Sequence, residues 1–287
     1  MSQGVMQMIC QWDSYLSLLP GWMRKDVDKQ GRESLTELRL RLNQQPRLVM
    51  RNRYSSLPGC VTTEDIQQVI NSATRFSPWA SDTLAKGFIS GPGGHRIGVC
   101  GQAIHHQSKM TGIRAPSSLC IRVARDFPGI AEPLREISGS ILIIGPPGSG
   151  KTTLLRDLIR QKSDLNCGSV GVVDERGELF PIINEKWGYS IGRNTDVLSG
   201  CGKKEGIEIL LRTMSPVWIA VDEISSEDDC NALMKAGWCG VRLIATAHAE
   251  NKEEFMTRPV YQPVMSCGLF DRLLCLDRSQ TWKVERM

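Results

Sequence analysis

A chain of 287 residues, 41% hydrophobic and 23% charged, is long enough for two domains with real cores, and its composition excludes a low-complexity or disordered class. The net charge of +4, from 35 basic and 31 acidic residues, permits an anionic partner without arguing for one. The ten cysteines include no Cys-x-x-Cys and no partnering His pair at zinc spacing, and neither a signal peptide nor an apolar run of about 20 residues is found; reduced thiols, a cytosolic setting and at most peripheral membrane association are expected.

Taken in order, Met6, Ile9, Trp12, Tyr15, Leu16 and Leu19 are spaced to line one face of a helix that Pro20-Gly21 ends. Residues 35–42 alternate from Leu38 onward as a strand does, and Pro46 to Met50 suggest a second. Thr62 or Thr63 then caps a helix with Ile66, Val69, Ile70 and Ala73 on one face. Residues 87–90, a Gly-Pro-Gly-Gly turn at 91–94 and residues 95–100 predict a hairpin, and 118–125 alternates apolar and basic residues as a half-exposed strand. Residues 1–126 thus read as a small α+β domain, and 127–139, with Pro128, Gly129, Pro133 and Gly139, as a linker.

From residue 140 to 287 strands and helices alternate, which predicts a parallel sheet with helices on both faces. Ile141 to Ile144 suit a buried strand. Gly145-Pro146-Pro147-Gly148-Ser149-Gly150-Lys151-Thr152 matches G-x-x-x-x-G-K-[ST], and Thr153 opens a helix-forming run to Arg160. This is a phosphate loop: glycines turn the backbone so that its N–H groups meet phosphate oxygens, helped by the helix N-terminus. Lys151 can reach the β- and γ-phosphates of ATP, and the Thr152 hydroxyl can hold Mg²⁺.

Residues 169–174 form a buried strand ending in Glu175-Arg176-Gly177-Glu178, and a Gly-rich stretch runs from Trp187 to Gly206. A helix through Ile207, Leu210 and Leu211 stops before Pro216, and strand 217–221 runs into Asp222-Glu223. Ser225 with Asp228 suggests a capping box. Strand 241–247 ends at His248, and Leu273 to Leu276 form a last strand.

Lys151, Glu175, Asp222-Glu223 and His248 all follow the carboxyl end of a strand, the rim where open α/β sheets bind ligands. Asp222 has the Walker B form for Mg²⁺, and Glu223 is placed to orient or deprotonate water. Glu175 is either a third functional carboxylate or a surface partner of Arg176. The strand that carries it comes between the two Walker sequences, and a strand inserted there marks the ring-forming, RecA-like branch of these nucleotidases. His248 is either a γ-phosphate sensor, a partner of the water-positioning carboxylate, or a structural histidine. Arginines supplied from outside the core commonly neutralise γ-phosphoryl charge; Arg114, Arg122, Arg125 and Arg193 are candidates, with a solvated basic face the plain alternative.

The blocks at 35–48, 87–104, 121–125, 145–160, 170–179 (VGVVDERGEL), 194–206 (NTDVLSGCGKKEG), 215–224 and 244–248 together resemble the stage III sporulation protein AA family, relatives of the type II and type IV secretion ATPases. The likeness runs from about residue 35 to 277; the first 30 residues match poorly. It implies a RecA-like P-loop NTPase core preceded by a smaller α+β domain, and a ring ATPase, a homo-hexamer, with ATP and Mg²⁺ between its two domains. By that likeness Glu175 stands for the acidic block, Asp222-Glu223 for the Walker B pair, His248 for the histidine box, and Arg114 and Arg122 for the arginine box. It also implies action in endospore formation, in the mother-cell cytoplasm, peripheral to the membrane through channel proteins joining mother cell and forespore. Two competing readings are a nucleic-acid-directed motor, disfavoured by the small basic excess and the lack of an aromatic-basic motif, and an ATP-switched scaffold without hydrolysis, disfavoured by Glu175 and Glu223.

Overall fold

The computed structural model describes residues 8–50, 53–74, 87–107, 109–165, 168–183 and 186–287. These form two compact units, one of residues 8–126 with 181–189, the other of 127–180 with 190–287.

In the N-terminal unit, α1 (Trp12–Leu18) and α2 (Gly21–Asp28) are separated at Pro20, whose φ of −54° starts the second helix. Tyr15 and Leu19 are buried as the spacing predicts and Trp12 and Leu16 are half-buried against the same core, which also takes Leu18; Ile9 lies before the helix in a bridge to Asp126 and is 51% exposed, and Met6 falls outside the described residues. Strands β1 (Leu35–Arg41), β2 (Arg47–Met50) and β3 (Arg53–Ser56) precede α3 (Thr63–Thr74), which is followed by β4 (Phe88–Ser90), β5 (Arg96–His106) and β6 (Lys109–Arg122). They make an antiparallel sheet in the order β3-β2-β1-β6-β5-β4. Thr62 is the cap of α3: its hydroxyl accepts the Asp65 N–H at 3.2 Å and Asp65 returns the bond at 2.9 Å. Leu38, Leu40, Leu48, Ile97, Leu119 and Ile121 from the sheet meet Ile66, Val69 and Ala73 of α3 in one core. The predicted strands at 95–100 and 118–125 are two arms of one longer hairpin, whose outer part is solvated on both faces and so carries no apolar alternation.

The other unit alternates as expected. Strand β7 (Ile141–Gly145), α4 (Lys151–Asp164) and β8 (Val170–Asp174) come first; β9 (Ile182–Ile183) and β10 (Lys186–Trp187) pair as a short hairpin counted with the N-terminal unit. Then follow β11 (Thr195–Ser199), α5 (Lys203–Thr213), β12 (Trp218–Ile224), α6 (Glu227–Trp238), β13 (Arg242–His248), α7 (Lys252–Thr257), α8 (Gln262–Ser266), β14 (Arg272–Leu276) and β15 (Trp282–Arg286). The sheet order is β11-β8-β12-β13-β7-β14-β15, parallel throughout except for β15. Both faces are covered, so β7 and β8 are buried along their whole length and read as unbroken apolar runs. Leu142 and Ile144 share a core with Ile207, Leu210 and Leu233 from α5 and α6, while the buried Leu154, Leu155 and Leu158 put α4 on the opposite face.

Three details differ from the sequence reading. The capping box is Ser226 with Asp229, one residue later than predicted, since β12 continues to Ile224. The Gly-rich stretch contains edge strand β11, and the terminal residues form β15. Residues 127–139 fold with the unit that follows: the Ala131 N–H donates to Asp157 at 2.7 Å, and the Lys162 ammonium donates to the carbonyls of Arg135 and Ile137.

Candidate active site

Strand β7 delivers the chain to Gly145, where a side chain has no room: a Cβ there would sit 2.6 Å from Ser149 Oγ and 2.8 Å from the Leu276 carbonyl. Gly148 and Gly150 have φ of 79° and 96°, a region that L side chains rarely adopt. Gly150 is the N-cap of α4, so the free N–H groups of the first turn face the loop. Ser149 is 1% exposed and its hydroxyl has no partner among the described residues, an orphaned polar atom inside the cradle. Loop and helix start have the features that phosphate oxygens require.

Lys151 is buried and its ammonium is satisfied locally, donating to the Gly145 carbonyl at 2.7 Å and the Pro146 carbonyl at 2.9 Å. It also lies 3.0 Å from His248 Nδ1. Burial holds the ammonium below the ordinary lysine value, against the opposing charges of Asp222 and Glu223. A charged Lys151 donating to Nδ1 leaves the proton of a neutral His248 on Nε2, which faces Glu223 Oε1 at 3.6 Å.

Asp222 is held from both sides. Thr152 at the start of α4 donates to Oδ2 at 3.0 Å, and Thr246 of β13 donates to Oδ1 at 2.6 Å. The Thr246 hydroxyl also accepts the Glu223 N–H at 2.7 Å. Glu223 has φ of 55° at an irregularity in the β12–β13 pairing, so its side chain leaves the strand in a direction that regular alternation would not give. Its carboxylate meets Arg176 at 3.1 Å on Oε2 and His248 on Oε1. Lys151, Thr152, Asp222, Glu223 and His248 are thereby joined in one connected polar group, though they are up to 97 residues apart in sequence.

Glu175 has a different partner. Lys203 of α5 bonds it at 2.6 Å and stands 3.6 Å from Asp229; Arg176, the partner that the surface alternative gave Glu175, turns to Glu223 instead. Asp174 before it is buried, accepting the N–H groups of Glu178, Leu179 and Phe180 at 2.8–3.0 Å, which shapes the turn; burial raises its carboxyl, offset by those N–H groups.

The arginine candidates are scattered. Arg114 and Arg122 lie on β6 of the N-terminal unit, bonded to Gln102 at 3.1 Å and Glu37 at 3.4 Å. Arg125 in the same unit donates to the carbonyls of Arg32 and Leu35 and is structural. The Arg193 N–H bonds Asp164, the last residue of α4, about 20 Å of helix away from Lys151, which removes it as a candidate within its own chain.

Beside the phosphate loop, Phe127, Ile130, Leu276 and Trp282 line an apolar cleft whose floor is Ser149, Gly150, Thr153 and Leu154. Sequence reasoning missed this cleft and the roles of Thr246 and Arg176. Thr246 is legible in hindsight, two residues before His248 on the same strand and hence on the same side.

The family described as sporulation stage III, protein AA matches residues 12–284. Stage III sporulation protein AA of Bacillus subtilis (strain 168) is 35% identical over 265 residues, covering 89% of this chain and 86% of that protein. Among solved structures, the pilus retraction motor PilT with bound ADP aligns over 88% of this chain and 76% of its own, with a TM-score of 0.58 and 14% identity. The ATPase DotB of Legionella pneumophila aligns over 93% and 80%, with a TM-score of 0.55 and 14% identity. These two likenesses show the fold, a RecA-like core preceded by a smaller domain.

Proposed function

Because the chain belongs to the family of sporulation stage III, protein AA, we propose that it is a Mg²⁺-dependent ATPase, a ring motor that powers assembly of, or transport through, the channel between mother cell and forespore. The observation that carries the proposal is the connected group Lys151–His248–Glu223 and Thr152–Asp222–Thr246 beside a loop shaped for phosphate. The named activities of PilT and DotB, an ADP-bound retraction motor and an ATPase, support the same reading.

In the reaction, a water oxygen bonds to the γ-phosphorus while the bond from that phosphorus to the bridging oxygen of ADP breaks. Loop N–H groups and Lys151 would bind the triphosphate, the ammonium exchanging the Gly145 and Pro146 carbonyls for phosphate oxygens. The Thr152 hydroxyl and the Asp222 carboxylate, 3.0 Å apart, are a hard-oxygen pair of the kind Mg²⁺ takes alongside substrate phosphates. When bound, Mg²⁺ supplies neutralisation of charge on the β- and γ-oxygens. Glu223 would orient the water and receive its proton, with His248 steadying the carboxylate. The Phe127–Trp282 cleft would take the base, a flat apolar ring between aromatic walls. Glu175, tied to Lys203, would keep the strand-end turn in place rather than touch water.

The proposal extends to a homo-hexamer in which Arg114 or Arg122 of a neighbouring copy completes the site, and to an ATPase core of residues 140–287 behind an N-terminal domain of 1–126. It also places the protein in the mother cell, peripheral to the membrane through channel partners; no described helix is long and apolar enough to cross a bilayer. Phosphate release from Mg-ATP by the wild-type chain and by Lys151→Ala tests the site. Loss of at least 100-fold in the variant is expected, and near-normal release would refute the assignment. A site completed between subunits also loses specific activity on dilution.

A further inference from the structure

The two strand-end carboxylates are restrained in different ways. Glu175, its own side chain 43% exposed, is bound by an ammonium whose side chain is 5% exposed and which Asp229 also faces. Glu223 is held by Arg176, whose side chain is 56% exposed, and by His248 at 3.6 Å. The backbone at both ends of the Arg176–Glu223 contact is tied by hydrogen bonds: Asp174 accepts the N–H groups of the turn that carries Arg176, and Thr246 takes the Glu223 N–H.

We propose that Arg176 is a positioning residue that holds the Glu223 carboxylate in reserve while the phosphate loop is empty, so that Glu223 must leave Arg176 before it can orient water. The inference rests on the ATPase reading and adds its regulation. The carboxylate that must swing is the one whose basic partner is open to solvent, whereas the basic partner of Glu175 is buried. Exposed ion pairs bias their side chains only by roughly two- to five-fold. The catch is therefore slight and reversible, and removing it raises the competent fraction by no more than that factor.

The test uses the full chain. Steady-state Mg-ATP hydrolysis is measured for wild type, Arg176→Ala, Arg176→Lys, Glu223→Gln and the Arg176→Ala/Glu223→Gln double variant, with melting temperatures to check folding. Expected is a kcat for Arg176→Ala raised roughly two- to five-fold at unchanged KM, return towards the wild-type rate in Arg176→Lys, and no turnover in either Glu223→Gln protein. A kcat for Arg176→Ala lowered tenfold or more, or left unchanged, overturns the proposal. A double-mutant cycle by urea unfolding reads the contact without turnover. Coupling between the two sites is expected in nucleotide-free protein and is lost with Mg²⁺ and a non-hydrolysable ATP analogue; absent coupling, or coupling that persists with the analogue, overturns the catch. A wild-type chain that turns over no ATP sinks the ATPase reading instead, and the nucleotide-free arm of the cycle then decides the contact alone.

Discussion

The Thr246 hydroxyl donates to Asp222 Oδ1 at 2.6 Å while accepting the Glu223 N–H at 2.7 Å, so one side chain of the neighbouring strand holds both Asp222 and Glu223. Thr246 is 1% exposed. Thr246→Val keeps the shape and removes both. It leaves the Glu223 N–H without an acceptor, a loss of about 1–3 kcal/mol in stability. Turnover is expected to fall at least tenfold, because the strained backbone at Glu223 loses its anchor. Chemical unfolding and phosphate release check both; wild-type values for the two would show that Thr246 is only filler.

Trp282 lines the cleft together with Phe127 and is not part of the phosphate loop. If the cleft holds a base, Trp282→Ala weakens ATP binding about tenfold, the scale of one lost aromatic contact. Binding of inorganic triphosphate, which has no base, stays the same. Equal weakening of both ligands would place the effect on the phosphate loop.

His95 in the N-terminal unit is fully buried, with Nδ1 accepting the Ala124 N–H at 3.0 Å and Nε2 bonded to the Gln11 carbonyl at 3.0 Å. This satisfies the neutral ring with its proton on Nε2. Burial lowers its pKa from 6.5 to about 4, against backbone hydrogen bonding to Gln11 and Arg122. Between these values the unfolded chain binds the extra proton, so the stability His95 contributes is full above about pH 6.5 and is lost as pH falls towards 4. At about 1.4 kcal/mol per pH unit the loss is about 3 kcal/mol. Unfolding midpoints from pH 7 to 4.5 should fall more steeply for wild type than for His95→Gln; parallel curves would mean the ring titrates normally.

Much of the nucleotide core was legible because its signals are local. A buried parallel strand must be an unbroken apolar run, and the glycines of 145–150 are required by backbone angles and a close approach that only glycine meets. The N-terminal sheet was legible where one face is buried, as at Leu38 and Leu40, and was lost at β3 and the outer β5–β6 hairpin, where both faces are wet. What sequence order cannot give is adjacency across crossovers. It offered Arg176 no partner but its neighbour Glu175, as one alternative, whereas the guanidinium meets Glu223, 47 residues on. The cleft was hidden for the same reason: Phe127 and Trp282 come from segments read as linker and tail.

Phosphate release measured beside equilibrium ATP binding, for wild type and Glu223→Gln at a protein concentration high enough for assembly, tests the central claim most directly. The account predicts that both proteins bind Mg-ATP with similar affinity, and that only the wild type releases phosphate, the variant falling at least 100-fold. Equal release by the two, or no binding by the wild type, would contradict it.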